Sequence, residues 1–215
     1  MEQGRIFVIG DVHGCSEMLK RLVDKIGWEP ANDRLIFVGD YIDRGEDSRG
    51  VVEFILALKK LSPNITCLIG NHEAIFLDYL SGMDRKLFLL NGGMNTLESY
   101  EFHKVENEDE LLPPEHKEFF NSLERMVELD RYYVVHAGFK PGIDVGKQEI
   151  EDMIWIRDSF IYSDCDFGKK VIFGHTPFYE PFIMDNKIGI DTGAVYGNRL
   201  TCLELPEFRF HWVEP

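Results

Sequence analysis

Five short apolar runs, each closed by glycine or a polar residue, constrain the possible fold most strongly. Each run has about six residues and is rich in β-branched and aromatic side chains, which is typical of buried strands in α/β proteins. The runs are RIFVIG (5–10), RLIFVG (34–39), ITCLIG (65–70), YYVVHAG (132–138) and KVIFGH (170–175). Because apolar residues recur at helical spacing between the first three runs, the opening third is predicted to be β-α-β-α-β.

The rest of the chain follows a less regular pattern. The segment from about Ala74 to Arg131 is predicted to be mostly helical, with Pro113-Pro114 preceding a further helix. MDNKIGIDTG (184–193) and RLTCLELPEFRFHWV (199–213) indicate strands and turns, which we expect to add antiparallel strands to a sheet. The acidic run ENEDE (106–110) is most simply a solvated loop. With no repeat or low-complexity linker, residues 1–215 are expected to form one domain.

Charge and composition exclude several classes of protein. The formal net charge is −15, and such a surface repels nucleic acid and acidic membranes, so neither is expected as a partner. No apolar run approaches the roughly 18 residues that a membrane-spanning helix needs. The opening MEQGRIFVIGD lacks a secretory leader, and the four scattered cysteines suit reduced thiols, so a cytoplasmic location is expected. The sequence leaves the oligomeric state open.

Each of the five predicted strands ends in residues that can carry chemistry. In chain order they are Asp11 and His13, then Asp40, Asp43 and Arg44, then Asn71, His72 and Glu73, then His136, and finally His175. Ligands of α/β proteins usually bind at the carboxyl ends of the parallel strands, and strand ends on one edge of a sheet converge in space. These side chains can therefore share one site although they span most of the sequence.

This set of carboxylates, one carboxamide and several imidazoles contains no thiolate. It suits Mn²⁺, with Fe or Zn²⁺ as alternatives, better than Ca²⁺ or a structural zinc. Six ligands exceed the needs of one tetrahedral ion, but with a bridging carboxylate they serve two ions about 3.5–4 Å apart. Two such cations would leave a net positive charge in the site, which would allow an acidic protein to hold a phosphate dianion.

Each residue also has a simpler interpretation. A single Asp or Asn after a strand is usually a helix cap or turn former, and a lone His is usually structural. The combination argues otherwise, because G-D-x-H-G, G-D-x-x-D-R-G and G-N-H-E occur together, in order, each after an apolar strand. Arg157 could instead form a surface ion pair with Asp158, and Glu73 is expected to support the site or start a helix without binding metal.

At these residues the chain resembles the calcineurin-like metallophosphoesterases, and within them the phosphoprotein phosphatases. The resemblance is greatest to the bacterial and phage branch, typified by the serine/threonine phosphatase of bacteriophage lambda. The motifs that carry it are GDVHGC, VGDYIDRG, GNHE, LLNGG (89–93), VVHAG, WIRDSF (155–160), FGHTP (173–177) and IDTGAVYGNRLTCLEL (190–205). It implies an α/β calcineurin-like metallophosphatase fold, a β-sandwich of mixed sheets flanked by helices.

The resemblance also implies a role for each site residue. Asp11 and His13 would bind the first metal and Asp40 would bridge, while Asn71, His136 and His175 would bind the second. His72 would be the general acid oriented by Asp43, and Arg44 and Arg157, together with Asn71, would bind the phosphate. A hydroxide bridging two divalent ions, most simply Mn²⁺, would attack phosphorus in line, and the imidazolium would protonate the leaving alkoxide.

The predicted function is a metal-dependent phosphomonoesterase, a serine/threonine protein phosphatase that also turns over phosphotyrosine and small aryl phosphates. The alternative is a symmetrical diadenosine tetraphosphate hydrolase, a similar family that usually has G-N-H-D where this chain has Glu73. That activity would need an aromatic slot for adenine, for which Tyr41, Phe139 and Tyr196 are the candidates. A third hypothesis, a non-catalytic binding scaffold, is disfavoured because all the expected ligands, the acid and both arginines are present.

Overall fold

Two five-stranded sheets form the centre of the computed structural model, which describes residues 4–101, 104 and 112–215. The first sheet has the order β10-β9-β1-β2-β3 and the second has the order β4-β5-β6-β8-β7. The strands are β1 (Ile6–Ile9), β2 (Arg34–Phe37), β3 (Ile65–Cys67), β4 (Met126–Glu128), β5 (Tyr132–Val135), β6 (Lys170–Phe173), β7 (Phe182–Ile183), β8 (Lys187–Gly189), β9 (Leu200–Leu205) and β10 (Arg209–Val213).

Helices fill the connections between these strands. They are α1 (Ser16–Ile26), α2 (Ser48–Leu61), α3 (Asn71–Leu80), α4 (Arg85–Phe88), a π-helical turn (Leu89–Gly93), α5 (Met94–Ser99), α6 (Pro114–Asn121), α7 (Ile150–Trp155) and α8 (Asp158–Ile161). The periodic apolar side chains of α1 are buried, and the helix ends at Gly27, whose φ of 58° suits glycine. Asp47 caps α2 by accepting a hydrogen bond from the Gly50 backbone N–H.

The alternation of side chains along each strand builds two layers of core. In β1, Phe7 and Ile9 pack on the helical side, whereas Val8 faces the second sheet. The core between the sheets brings Val8 into one cluster with Val134 and Ile172. A third cluster covers the outer face of the second sheet with residues of α7 and α8. The fold is thus a sandwich of two mixed sheets with helices on both outer faces, as the resemblance implied.

The predicted β-α-β-α-β opening is confirmed, because β1 to β3 are parallel neighbours joined by α1 and α2. The expectation of one shared sheet edge was wrong. The five strand ends come from two sheets, β1 to β3 from the first and β5 and β6 from the second.

Two further expectations need correction. The segment predicted as mostly helical up to Arg131 also contains a strand, β4, which pairs antiparallel with β5. Of the strands in the last third, β7, β8, β9 and β10 each have an antiparallel partner, as expected, but β8 also pairs parallel with β6. The run ENEDE lies outside the described residues. Among the helices that are described, none combines the length and the apolar character needed to cross a membrane.

Candidate metal centre

Loops from the two sheets meet around the carboxylate of Asp40. Its Oδ2 lies 3.4 Å from Nε2 of His13, and its Oδ1 lies 3.5 Å from Nε2 of His136. His13 follows a strand of the first sheet and His136 follows a strand of the second. All three side chains are buried. One carboxylate therefore joins the contributions of both sheets.

Two groups of possible metal ligands share this carboxylate. His13, Asp40 and His72 form one group, and Asp40, His136 and His175 form the other. Within each group the ligand atoms lie within 4.8 Å of one another. A residue common to two such groups is arranged as a bridging ligand of a dinuclear site would be.

Asn71 and Asp11 both contact His175. Oδ1 of Asn71 lies 3.1 Å from Nε2 of His136 and 2.8 Å from Nδ1 of His175. Oδ2 of Asp11 accepts a hydrogen bond of 2.9 Å from the His175 backbone N–H. All six expected metal ligands are therefore brought together, although Asp11 and Asn71 lie outside both three-residue groups.

Several buried polar atoms of this centre have no hydrogen-bond partner among the residues that the structure describes. They are Oδ1 of Asp11, Nε2 of His72 and Nε2 of His175. Within the described residues these are three of the five buried side-chain atoms left without a hydrogen bond. Each such atom costs about 1–3 kcal/mol unless something satisfies it. Since the unpartnered oxygen and the His175 nitrogen are ligand atoms that divalent cations prefer, the residues present fit such ions.

The backbone around the centre is unusually strained. Among the described non-glycine residues, eight have positive φ, and five of these belong to the site. They are His13 (43°), Asp40 (52°), Asp43 (70°), Arg44 (68°) and His175 (65°). Left-handed backbone is disfavoured for residues with a Cβ, and it persists only where the surroundings enforce it. The strained backbone therefore lowers the stability of the fold, but it sets the direction of these side chains.

Glu73 stabilises the loop that carries Asp40. Its carboxylate accepts hydrogen bonds from the backbone N–H groups of Asp40 (2.9 Å), Tyr41 (2.8 Å) and Gly70 (3.0 Å). Burial, and then the charge of Asp40, raise the pKa of Glu73 to about 8. Glu73 thus supports the Asp40 loop and lies in the first turn of α3, and its oxygens accept from backbone donors.

The surroundings shift the pKa values of the two acidic ligands in opposite directions. Burial acts to raise the pKa of Asp40, but the surrounding imidazoles, His136 foremost, outweigh it and hold the pKa well below the usual value. Burial, reinforced by Asp191 and Asp40, raises the pKa of Asp11 well above its usual value. Burial lowers the pKa of His175 to about 2. His175 is therefore neutral, which is the protonation state that binds metal.

His72 and Asp43 form a buried pair next to the centre. Nδ1 of His72 lies 2.6 Å from Oδ2 of Asp43, and neither side chain is exposed. The other oxygen of Asp43 accepts a hydrogen bond of 2.6 Å from the hydroxyl of Thr96. The ring of His72 also meets the ring of His13 edge-on, at 4.6 Å between centroids. The pair leaves Nε2 of His72 as the atom available for chemistry.

Both predicted arginines reach the edge of the centre. Nη1 of Arg44 lies 2.7 Å from Nε2 of His13, and the guanidinium stands 5.8 Å from the ring centroid of Tyr196. Nη1 of Arg157 donates to the backbone oxygen of His175 (3.1 Å) and to Oγ1 of Thr176 (3.2 Å). Across the described residues no ion pair joins Arg157 to Asp158, so the simpler interpretation of Arg157 finds no support.

A buried lysine holds the end of the short helix that follows Arg157. Nζ of Lys187, a fully buried residue, donates to the backbone oxygens of Phe160 (2.5 Å), Ile161 (3.3 Å) and Ser163 (2.6 Å). Burial lowers the pKa of Lys187. These bonds satisfy the carbonyl groups at the end of α8, the helix that begins directly after Arg157.

The aromatic slot considered for adenine is only partly present. Tyr41 and Phe139 are fully buried in hydrophobic clusters, and the Tyr41 hydroxyl donates to the Leu68 backbone oxygen. Only Tyr196, with 63% of its surface exposed, faces solvent near Arg44. The expectation that Tyr41 or Phe139 could line a slot was wrong.

Sequence reasoning missed three residues of the site. Two of them contact predicted site residues, since Thr96 bonds to Asp43 and Thr176 accepts from Arg157. The third, Asp191, raises the pKa of Asp11. The signal was nevertheless present, since Asp191 lies in IDTGAVYG, Thr176 lies in FGHTP and Thr96 comes three residues after LLNGG. Treating those motifs as sources of supporting side chains would have found them.

Comparisons with known proteins give a consistent result. A family model for calcineurin-like phosphoesterases matches residues 4–209. Serine/threonine-protein phosphatase 1 of Salmonella typhimurium is 30% identical over 200 residues, which cover 91% of this chain and 89% of the relative. The asymmetrical bis(5'-nucleosyl)-tetraphosphatase PrpE of Oceanobacillus iheyensis is 29% identical over 235 residues, which cover 96% and 90%.

Solved structures share the fold. A structure described as a candidate diadenosine tetraphosphatase superposes with a TM-score of 0.76 at 22% identity, covering 99% of this chain and 94% of that one. A serine/threonine phosphatase of Saccharomyces cerevisiae superposes with a TM-score of 0.73 at 16% identity, covering 99% and 80%. With the family model spanning nearly the whole sequence, the chain belongs to the calcineurin-like metallophosphoesterase family.

Proposed function

We propose that this metallophosphoesterase is a phosphomonoesterase that removes phosphate from phosphoserine and phosphothreonine in proteins, and that it also accepts phosphotyrosine and aryl phosphates. One observation carries the proposal: the Asp40 carboxylate is common to two groups of ligands, with the buried His72–Asp43 pair beside it. Two arginines at the edge of the same centre, Arg44 and Arg157, suit recognition of a phosphate dianion.

We further propose that the centre holds two divalent cations, most simply Mn²⁺. Asp11 and His13 would bind one ion and Asp40 would bridge, while Asn71, His136 and His175 would bind the other. When bound, such ions polarise the phosphoryl group and supply an acidified water as nucleophile. The donor set supports this assignment, because it is rich in oxygen and nitrogen ligands and uses no cysteine.

The residues of the chain itself account for binding and proton transfer. The guanidinium groups of Arg44 and Arg157, aided by the Asn71 amide, would hold the phosphate oxygens and orient phosphorus. Nε2 of His72 would give a proton to the leaving alkoxide, and Asp43 would hold the imidazole by its Nδ1–H. The ring has no other side-chain partner at Nε2, which leaves that nitrogen free for the substrate.

Turnover of p-nitrophenyl phosphate tests whether the site is catalytic. The protein should hydrolyse this ester with Mn²⁺ and lose the activity with a chelator, and Mn²⁺ added back should restore it. A protein that binds Mn²⁺ but never turns over the ester would instead be the non-catalytic scaffold.

A second candidate function is hydrolysis of diadenosine tetraphosphate. The similarity to PrpE, which is named as an asymmetrical bis(5'-nucleosyl)-tetraphosphatase, favours it. The burial of Tyr41 and Phe139 weighs against it, because of the three candidate aromatic residues only Tyr196 is exposed enough to stack on adenine. The assay compares kcat/KM for a phosphoserine peptide with kcat/KM for diadenosine tetraphosphate. Preference for the peptide is expected, and preference for the dinucleotide would replace the first proposal by the second.

The wider setting is also a proposal. Four free cysteines, two of them buried, suit the reducing cytoplasm. The net charge of −15 supports phosphoprotein or small phosphoester substrates over nucleic acid or membrane partners. We propose that residues 1–215 act as one catalytic domain.

A further inference from the structure

Thr96 contacts the His72–Asp43 pair through the Asp43 carboxylate. It lies on α5, outside the strand-end loops, and its side chain is fully buried. Its hydroxyl donates to Oδ1 of Asp43 (2.6 Å) and accepts from the Asp43 backbone N–H (2.9 Å). Oδ2 of the same carboxylate holds Nδ1 of His72 at 2.6 Å. The three side chains form a chain of hydrogen bonds that ends at Nε2 of His72.

The segment around Thr96 also fixes the strained backbone that carries Asp43. Asp43 and Arg44 have φ of 70° and 68°, which two successive non-glycine residues adopt only under constraint. The Arg44 N–H donates to the Gly92 oxygen (3.2 Å), and Nδ2 of Asn95 donates to the Arg44 oxygen (2.8 Å). A Cβ at Gly92 would lie 3.0 Å from the Arg44 nitrogen, so glycine is needed for this approach.

A hydroxyl is the group that this position requires. It can donate to a carboxylate and accept from an N–H at the same time, which a methyl group cannot do. Without it, a buried carboxylate oxygen and a backbone donor would each lose a partner. Ser48 accepts from the same Asp43 N–H at 3.1 Å, and its hydroxyl lies 3.1 Å from Oγ1 of Thr96, but the hydroxyl bonded to the carboxylate is that of Thr96.

We propose that Thr96 is a positioning residue for proton transfer, acting through Asp43 on His72. This inference rests on the proposed phosphomonoesterase function. The proton passes from Nε2 of His72 to the leaving oxygen as the phosphorus–oxygen bond breaks, giving an alcohol and a neutral imidazole that regains a proton from solvent. Thr96 contacts neither the substrate nor Nε2 of His72, the nitrogen that gives up the proton. It fixes the carboxylate so that Nε2 of His72 points at the leaving oxygen.

Dependence on the leaving group separates positioning from a merely structural role. An alkyl leaving group needs the proton, whereas p-nitrophenolate leaves with little help. Thr96→Val has almost the same shape but no hydroxyl, and it should lower kcat about tenfold or more on a phosphoserine peptide and only a few-fold on p-nitrophenyl phosphate. Thr96→Ser restores the hydroxyl and should bring both rates close to wild type.

Ser48→Ala is the comparison variant. It removes a buried hydroxyl bonded to the same Asp43 N–H and to the Thr96 hydroxyl but leaves the donor to the Asp43 carboxylate in place, so it should change the ratio of the two rates much less than Thr96→Val does. Metal content and thermal midpoint are measured for every variant. If Thr96→Val does not fold, Thr96→Cys, whose thiol is a weak donor, takes its place with a smaller shift in the same direction.

The outcomes distinguish this inference from the function on which it rests. An active wild type, with equal losses on both substrates in Thr96→Val, would overturn the role of Thr96 alone. The role of Thr96 would also be overturned if the loss of rate depended on the leaving group in His72→Asn but not in Thr96→Val. A wild type with no Mn²⁺-dependent turnover would overturn both proposals.

Discussion

The two sheets contribute different things to the same centre. Loops of the first sheet supply both carboxylates among the expected metal ligands and the His72–Asp43 pair, and their direction is fixed by buried side chains such as Glu73 and Thr96. Loops of the second sheet supply imidazoles held by the first sheet, since Nδ1 of His136 lies 3.0 Å from the Val38 oxygen. The second half of the site therefore depends on the first for its geometry.

This difference suggests how the site fails when it is damaged. A change at Asp40, in a first-sheet loop, should disturb both proposed metal positions, because its carboxylate faces ligands from both sheets. A change at a second-sheet ligand should disturb one position. The first two substitutions below test that difference, the other two test His72 and Lys187 beside it, and all four follow in order of expected effect.

Asp40→Asn should have the largest effect. The neutral amide weakens the proposed bridge to both ions, so bound Mn²⁺ should fall for both together and turnover should fall by about 10³-fold or more. Metal analysis after gel filtration measures the content. A content near that of the wild type would contradict bridging.

His175→Asn should remove one ion and leave the other. His175 lies in only one of the two ligand groups, so about half of the Mn²⁺ should be retained in the same metal analysis. Turnover should still fall by about 10²-fold, since a two-metal site stabilises both the attacking and the leaving oxygen. Loss of both ions would show that the two halves are not separable.

His72→Asn should keep both ions but lose proton transfer. The expected loss is about 10²-fold on an alkyl phosphoester and much less on p-nitrophenyl phosphate, because general acid catalysis matters for the poorer leaving group. Steady-state rates with both substrates provide the measurement. Equal losses, or loss of metal, would argue that His72 is a ligand, as its place in one ligand group allows.

Lys187→Met should have the smallest effect on catalysis. The variant loses the three hydrogen bonds that hold the end of the short helix that follows Arg157, so KM for p-nitrophenyl phosphate should rise a few-fold with kcat nearly unchanged. Unfolding should become easier by about 1–3 kcal/mol, because buried carbonyl groups lose their donor. Arg157→Gln is the comparison, with a larger rise in KM. An unchanged KM in Lys187→Met would separate the lysine from phosphate binding.

The sequence was most informative where several chemical residues share one short motif. GDVHG, GDYIDRG and GNHE placed Asp11, Asp40 and His72 at strand ends because the apolar run and the polar residues that follow it are local signals. The parallel pairing of β6 with β8 had no such signal. It depends on contacts between distant segments, which a single sequence does not display.

The supporting residues were harder to predict for the same reason. Thr96 reaches Asp43 only because a π-helical turn brings α5 against a loop 53 residues earlier in the chain. The sequence offers Tyr41 and Phe139 as candidates for an exposed aromatic slot, but both rings are buried. The order of residues in a loop does not tell which side of the loop a ring packs against. Burial of such residues is decided by the assembled layers.

Anomalous diffraction from crystals grown with Mn²⁺ tests the central claim most directly. The account predicts two peaks about 3.5–4 Å apart, one on each side of the Asp40 carboxylate, with His13 at one and His136 and His175 at the other. A single peak, or none, would contradict a dinuclear centre. So would two ions that do not share Asp40.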